Sequence, residues 1–326
     1  MHASKNQQRK AKLGGARFRN AIMVHQFVLK LLFFVVARYP NQLLRRRARL
    51  ARIIWRVSGQ LRAVCFKNGS VILGPEATQA ELSDYGRGVI EEFLRFVAEI
   101  AMAKKLSRQA ILSRIAAIEG NEHFVAASEL QRGLIIATCH CGNFEVGAAA
   151  VSDRIPETHV LFQGDAQGGF ERMRASLHKQ LGLTEAYVEQ GLATWMQLRD
   201  ALSRGAAVLI QADRCMPGQV GTATKFLGGL LRMPDGPAKL ARLSGAPILP
   251  VVCIVQDDET IRLILSPPID PDGVDPAKYD EHVRSSLSEF FGKIVRMYPT
   301  QWHTLHDVFE DSRTSQPLAT PDESVH

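Results

Sequence analysis

The sequence predicts an α/β fold, a central mixed sheet flanked by helices, with an N-terminal membrane-associating helical segment. Three observations carry that prediction. Short apolar runs rich in β-branched residues alternate with stretches of helical period. One such run, residues 134–138 (Leu-Ile-Ile-Ala-Thr), is bounded by Gly133 and by Gly142-Asn143 and leads into His140 and Glu145. Charge is also segregated along the chain: the net charge is +7, yet the first 75 residues hold 16 Lys and Arg and no Asp or Glu, leaving 24 against 33 in the remainder.

In chain order, residues 21–37 are strongly apolar but broken by His25, Gln26 and Lys30. A spanning helix needs about 20 predominantly apolar residues, which favours a monotopic segment over a single pass. No convincing small-residue cleavage site marks it as a secretory signal. Residues 43–61 form a basic amphipathic helix, with Arg45, Arg49, Arg52 and Arg56 on one face and Leu50, Ile53, Ile54, Val57 and Leu61 on the other. Basic excess points to an anionic polymer or an anionic membrane, and this periodicity with Trp55 as an interfacial anchor favours the membrane over nucleic acid. An ordinary surface helix packed on a core is the alternative.

Residues 86–119 read as two helices. The strands expected after residues 134–138 are 159–162, 207–211, 248–255 and 260–265, interleaved with helices near 144–151, 170–181, 194–203, 236–244 and 280–297. Three regions result: a basic N-terminal part at 1–75, one α/β domain at 76–310, and a Ser-, Thr-, Pro- and Asp-rich tail at 311–326 expected to lack structure. Five cysteines, odd in number and irregularly spaced, form no disulfide framework and fit a reducing compartment.

His140 falls at the carboxyl end of a strand, where open α/β sheets gather their ligands. Glu145, five positions on, is expected to accept from one ring nitrogen and stabilise the imidazolium, freeing the other nitrogen to take a proton. The chain has no Gly-x-Ser-x-Gly elbow, so the substrate's own hydroxyl is favoured as nucleophile. A solvated or core histidine is the plain alternative. Cys139 and Cys141 flank His140 in an extended segment and point to the opposite face. His303 and His306 have no third partner at metal-binding spacing, so neither a metal nor a cofactor is expected.

His140-Cys-Gly-Asn143-Phe-Glu145 resembles the His-x-Gly-Asn-Trp/Phe-Glu signature of the lipid A biosynthesis acyltransferases, a branch of the lysophospholipid acyltransferase superfamily. Ile118-Glu-Gly-Asn-Glu-His-Phe124 precedes it; Ala207-Val-Leu-Ile-Gln-Ala-Asp213-Arg214, Phe226-Leu-Gly228, Met233-Pro-Asp-Gly-Pro-Ala238, Gly245-Ala-Pro-Ile-Leu-Pro-Val251 and Tyr298-Pro-Thr-Gln-Trp-His-Thr-Leu-His306 follow in the family's order. The resemblance covers roughly residues 20–310.

It implies transfer of a fatty acyl chain from a thioester donor, acyl carrier protein or coenzyme A, to a hydroxyl of a lipid or glycolipid acceptor. His140 is then the base and Glu145 its partner. Asn143, Asp213 and Arg214 belong to the expected substrate cleft, with Arg214 offering charge to a phosphate or oxyanion, or forming a loop ion pair. Arg232 before a helix opening at Pro237 suits an anion, as does Lys225 more weakly. Arg172 and Arg174 are candidates for the arginine that the family places between the dyad and the Asp motif; here residues 181–198 have none, and Cys215 stands where a second acid is usual. The implied location is the cytoplasmic face of a bacterial inner membrane. A lipid-binding or hydrolytic protein of the same fold is the rival reading.

Overall fold

The computed structural model describes residues 38–162, 169–216 and 219–310, with backbone alone for 169–173. The apolar segment at 21–37, the signal-like character considered for it and the tail at 311–326 lie outside the described residues.

Helix α1 (Pro40–Val57) ends at Ser58, whose extended backbone stops it and whose hydroxyl accepts from Leu61 N to start α2 (Gly59–Ile72). The single helix expected over 43–61 is thus two. Helix α3 (Gln79–Ala103) opens on a capping box between Thr78 and Glu81. Leu43, Ala51 and Trp55 are buried, and the Trp55 ring lies against Gly86 of α3 and edge-on to Phe66. Trp55 is therefore a core residue and not an interfacial anchor, because a residue four positions after Ala51 shares its inward face.

After the short helix α4 (Arg108–Leu112) comes strand β1 (Ile115–Glu119), where a second helix was expected. Ile111, Ile115 and Ile118 have helical spacing, but Ile115–Glu119 pairs with a sheet edge, and Gly120 at φ 79° turns the chain into α5 (Asn121–Glu129). The remaining elements are β2 (Leu134–Thr138), α6 (Phe144–Arg154), β3 (Thr158–Phe162), α7 (Gly169–Gln180), β4 (Leu183–Tyr187), α8 (Leu192–Ser203), β5 (Ala207–Gln211), the hairpin β6 (Gly221–Phe226) and β7 (Gly229–Pro234), α9 (Gly236–Ser244), β8 (Ile248–Val255), β9 (Ile261–Leu265) and α10 (Tyr279–Met297).

Seven strands form one sheet in the order β1-β9-β8-β2-β5-β3-β4, while β6 and β7 pair separately. Only β8 and β9 are antiparallel within the large sheet. The sheet is mixed and flanked by helices, as the strand pattern predicts. Every residue of β2 and β8 is buried, which is why these strands read as continuous apolar runs and not as alternations. Since β2, β5, β3, β4 and β8 run in one direction, their carboxyl ends share an edge. The register pairs Thr138, the last residue of β2, with Gln211, the last of β5.

Candidate active site

That register decides the chemistry. His140 lies two residues beyond Thr138 and Asp213 two beyond Gln211, on neighbouring parallel strands, so the two side chains meet. His140 Nδ1 is 2.8 Å from Asp213 Oδ1. Asp213 Oδ2 accepts from Arg214 Nη1 at 2.7 Å and from Trp302 Nε1 at 2.7 Å. Asp213 is fully buried, and though burial alone would raise its pKa, its interaction with His140, the Arg214 charge and the Trp302 N–H hold the carboxyl well below the usual range. An ionised Asp213 requires the His140 proton on Nδ1. Nε2 makes no hydrogen bond among the described residues, and the His140 side chain is 18% exposed. Burial and the Arg214 charge push its pKa down, keeping the ring neutral and able to accept a proton at pH 7.

Expected as the partner of His140, Glu145 is engaged elsewhere. In the first turn of α6, its Oε2 is 2.8 Å from His178 Nε2. The carboxylate on the adjacent strand, and not the one five residues along the chain, orients His140. Side chains in a helix's first turn fan around its axis, so spacing alone does not aim Glu145 back at the loop.

The loop carrying His140 is rigidly held. His140 O accepts from His303 N at 2.8 Å, Gly142 N donates to Gln301 O, and Asn143 N donates to Cys253 O. Gly142 has φ 59°, and a Cβ there would lie 1.9 Å from Cys253 O, so this turn admits only glycine. Gln301 pairs with both Val255 N and Val255 O, fixing the closing segment to the end of β8. His303 donates from Nε2 to Gly142 O at 3.0 Å and stacks on Phe96; burial pushes its pKa down to about 3. It is a neutral structural imidazole. Sequence reading gave the closing motif no such bracing role, since only the fold brings residues 298–306 beside 140–143.

Other expected site residues divide into those brought to the cleft and those committed to the frame. Asn143, taken for substrate binding, is buried; it caps α6 through Val146 N and donates to Glu99, which also accepts from Arg114. Arg214 is 4% exposed, with Nη1 on Asp213 and Nη2 on His303 O, so its charge serves Asp213 and not an incoming phosphate. Arg232 joins Glu310 and Gly221 O on the separate hairpin. Lys225 is an exposed residue of that hairpin. The α9 start already has the Asp235 carboxylate beside it, accepting from Thr222 and Arg284. Arg214, Arg232 and the α9 start are therefore corrected to structural roles. The side chain of Arg172 lies outside the described residues. Arg174 does reach the site, its guanidinium 4.0 Å from the Phe162 ring centroid.

Cys139, Cys141 and Cys253 are buried, and burial raises the Cys139 thiol well above its ordinary value and Cys253 to about 12. They are packing groups, not thiolate nucleophiles. A small pocket of about 30 Å³ adjoins the dyad. Phe144 joins the two, with its ring 6.2 Å from that of His140 and also lining the pocket. Ala148, Val160, Phe162, Leu209 and Ile210 make most of the wall; Glu145, Arg174 and His178 supply its charged end.

A neutral, carboxylate-oriented imidazole at the carboxyl edge of a mixed sheet, next to an apolar pocket, defines a general-base site suited to a hydroxyl nucleophile and a greasy substrate. The family model for bacterial lipid A biosynthesis acyltransferases matches residues 15–311, and the chain belongs to that family. It is similar to the phosphatidylinositol mannoside acyltransferase of Mycolicibacterium smegmatis, 26% identical over 186 residues that make up 56% of this chain and 59% of that protein. The phosphatidylinositol mannoside acyltransferase of Mycobacterium tuberculosis is 28% identical over 228 residues, 69% of this chain and 68% of that one. The match thus spans about three fifths to two thirds of these relatives' length. The crystal structure of the 1-acyl-sn-glycerophosphate (LPA) acyltransferase PlsC from Thermotoga maritima aligns over 82% of this chain and 97% of that one at 15% identity, with a TM-score of 0.34.

Proposed function

We propose that the protein is an O-acyltransferase that moves a fatty acyl chain from a thioester donor, acyl carrier protein or coenzyme A, to a hydroxyl of a glycolipid. The observation that carries this reading is His140 Nδ1 held by buried Asp213 at 2.8 Å, with the other ring nitrogen uncommitted. Family membership and the two mycobacterial relatives support the substrate class.

In the proposed reaction the acceptor hydroxyl gives its proton to His140 Nε2 as its oxygen attacks the thioester carbonyl. The tetrahedral intermediate collapses with cleavage of the C–S bond, and the imidazolium returns the proton to the departing thiolate. An ester and a free thiol result. Asp213 stabilises the transient imidazolium and, with Arg214 and Trp302 fixing its second oxygen, need not move to do so. The apolar side chains beside Phe144 suit contact with the hydrocarbon chain. Purified protein incubated with an acyl thioester and a lipid extract should yield lipids heavier by one acyl group. Release of free fatty acid alone would instead mark a hydrolase, and unchanged lipids a binding protein.

The same reading puts the protein at the cytoplasmic face of the inner membrane through α1. Among the described residues no helix is long and apolar enough to cross a membrane. Helix α1, however, exposes Arg45, Arg49, Arg52 and Arg56 at helical spacing together with Ile53 (54% exposed) and Val57 (77%). Basic residues near an anionic surface contribute about 1 kcal/mol each. Reversing the four arginines to glutamate should therefore weaken sedimentation with phosphatidylglycerol-containing vesicles by more than tenfold, and unchanged sedimentation would remove α1 from the membrane contact.

A further inference from the structure

His178 was not singled out by any motif, yet it occupies the most strongly charged buried position beside the dyad. Its side chain is 1% exposed, and both ring nitrogens face carboxylates: Nε2 is 2.8 Å from Glu145 Oε2 and Nδ1 is 2.8 Å from Glu185 Oε1. Glu185 Oε2 in turn accepts from Tyr187 OH at 2.8 Å. A neutral imidazole has one N–H, so it would direct a lone pair at one of the two carboxylates from a ring that is itself buried. Two ionised carboxylates need two donors, and only the imidazolium has them.

The geometry points to His178 as a positioning residue, protonated at neutral pH and clamped between Glu145 and Glu185, that holds the Glu145 carboxylate away from His140 and sets the charged end of the pocket. Glu145 lies in the first turn of the helix that follows the His140 loop and lines the pocket with His178. Released, it becomes an unpaired buried carboxylate next to a general base that must stay bound to Asp213. The other charged groups around His178 are accounted for. Arg174, one turn earlier on α7, lies over Phe162, whose ring is 5.9 Å from that of His178. Glu99 of α3 is tied to Arg114 and Asn143, and Arg108 donates to Leu181 O just past the end of α7. With Arg174, the clamp balances two carboxylates against two cations. Burial opposes the charged ring, but Glu145 and Glu185 outweigh it and raise the His178 pKa.

The functional consequence rests on the acyl-transfer reading; the protonation state does not. Ring-labelled histidine in the intact protein, with the His178 signal assigned by its loss in His178→Arg, should show both nitrogens protonated at pH 7. The midpoint should lie above that of a free imidazole. A neutral tautomer at pH 7 overturns the proposal whatever the enzyme does. In acyl transfer, His178→Gln should lower kcat on the order of 10- to 100-fold with a smaller change in KM. His178→Arg, which keeps the charge, should recover most of kcat and extend activity to higher pH than the wild type. Equal turnover of His178→Gln and wild type, or no advantage of Arg over Gln, would remove the positioning role.

Discussion

Replacing His140 with alanine is expected to lower acyl-transfer turnover by roughly 100- to 10,000-fold while leaving the fold intact. The ring contributes little to the core: its side chain is 18% exposed and its one side-chain bond goes to Asp213, which keeps Arg214 and Trp302 as partners. Loss of that bond should cost about 1 kcal/mol of stability. What disappears is the acceptor for the nucleophile's proton, so the loss should fall on kcat, with KM for the thioester nearly unchanged because the apolar pocket remains. Steady-state assay of the folded variant measures this. Turnover within a few-fold of wild type would leave His140 as a spectator.

The largest stability effect is expected at Asp213. Its carboxylate is fully buried and holds three partners: His140, Arg214 and Trp302. Asp213→Ala strands the Arg214 guanidinium, itself 4% exposed, with only the His303 carbonyl, and leaves the Trp302 indole N–H without an acceptor. Removing one member of a buried ion pair costs about 3–5 kcal/mol. Denaturant unfolding should show a loss of that size in Asp213→Ala. A loss below about 1 kcal/mol would mean that water reaches Arg214 once the carboxylate is gone.

Much of this site was legible in the sequence. The runs at 134–138 and 207–211 read as strands from their apolar, β-branched content, which put both His140 and Asp213 at the carboxyl edge of a sheet. Their partnership was not legible, because it depends on β2 and β5 being neighbours in register, a non-local pairing across some seventy residues that no spacing encodes. Glu145, only five positions from His140, was the local candidate, and the local candidate lost to the neighbouring strand. Strand β1 reads as helix from sequence since Ile115 and Ile118 stand three residues apart, a helical spacing, and a register irregularity between Ile115 and Ala117 interrupts the strand alternation. Strand β4 (Leu-Thr-Glu-Ala-Tyr) carries too few apolar residues to stand out, being at the sheet's edge. Trp55 was legible as amphipathic but not as buried, since water, membrane and a packed helix give the same pattern.

His178 illustrates the same limit. A lone histidine in an amphipathic helix carries no signal until Glu145 and Glu185, far apart in the chain, are seen to converge on its two nitrogens.

Asp213 is the carboxylate assigned to His140, and one comparison tests that assignment: kcat for Asp213→Asn and Glu145→Gln, measured side by side on folded protein with His140→Ala as the floor. Asparagine keeps the shape of Asp213 but removes the charge that fixes the Nδ1 proton and steadies the imidazolium. Its kcat should fall close to that of His140→Ala, roughly 1,000-fold or more below wild type, with Glu145→Gln retaining clearly more activity. Asp213→Asn turning over near the wild-type rate while Glu145→Gln drops to the floor would contradict it.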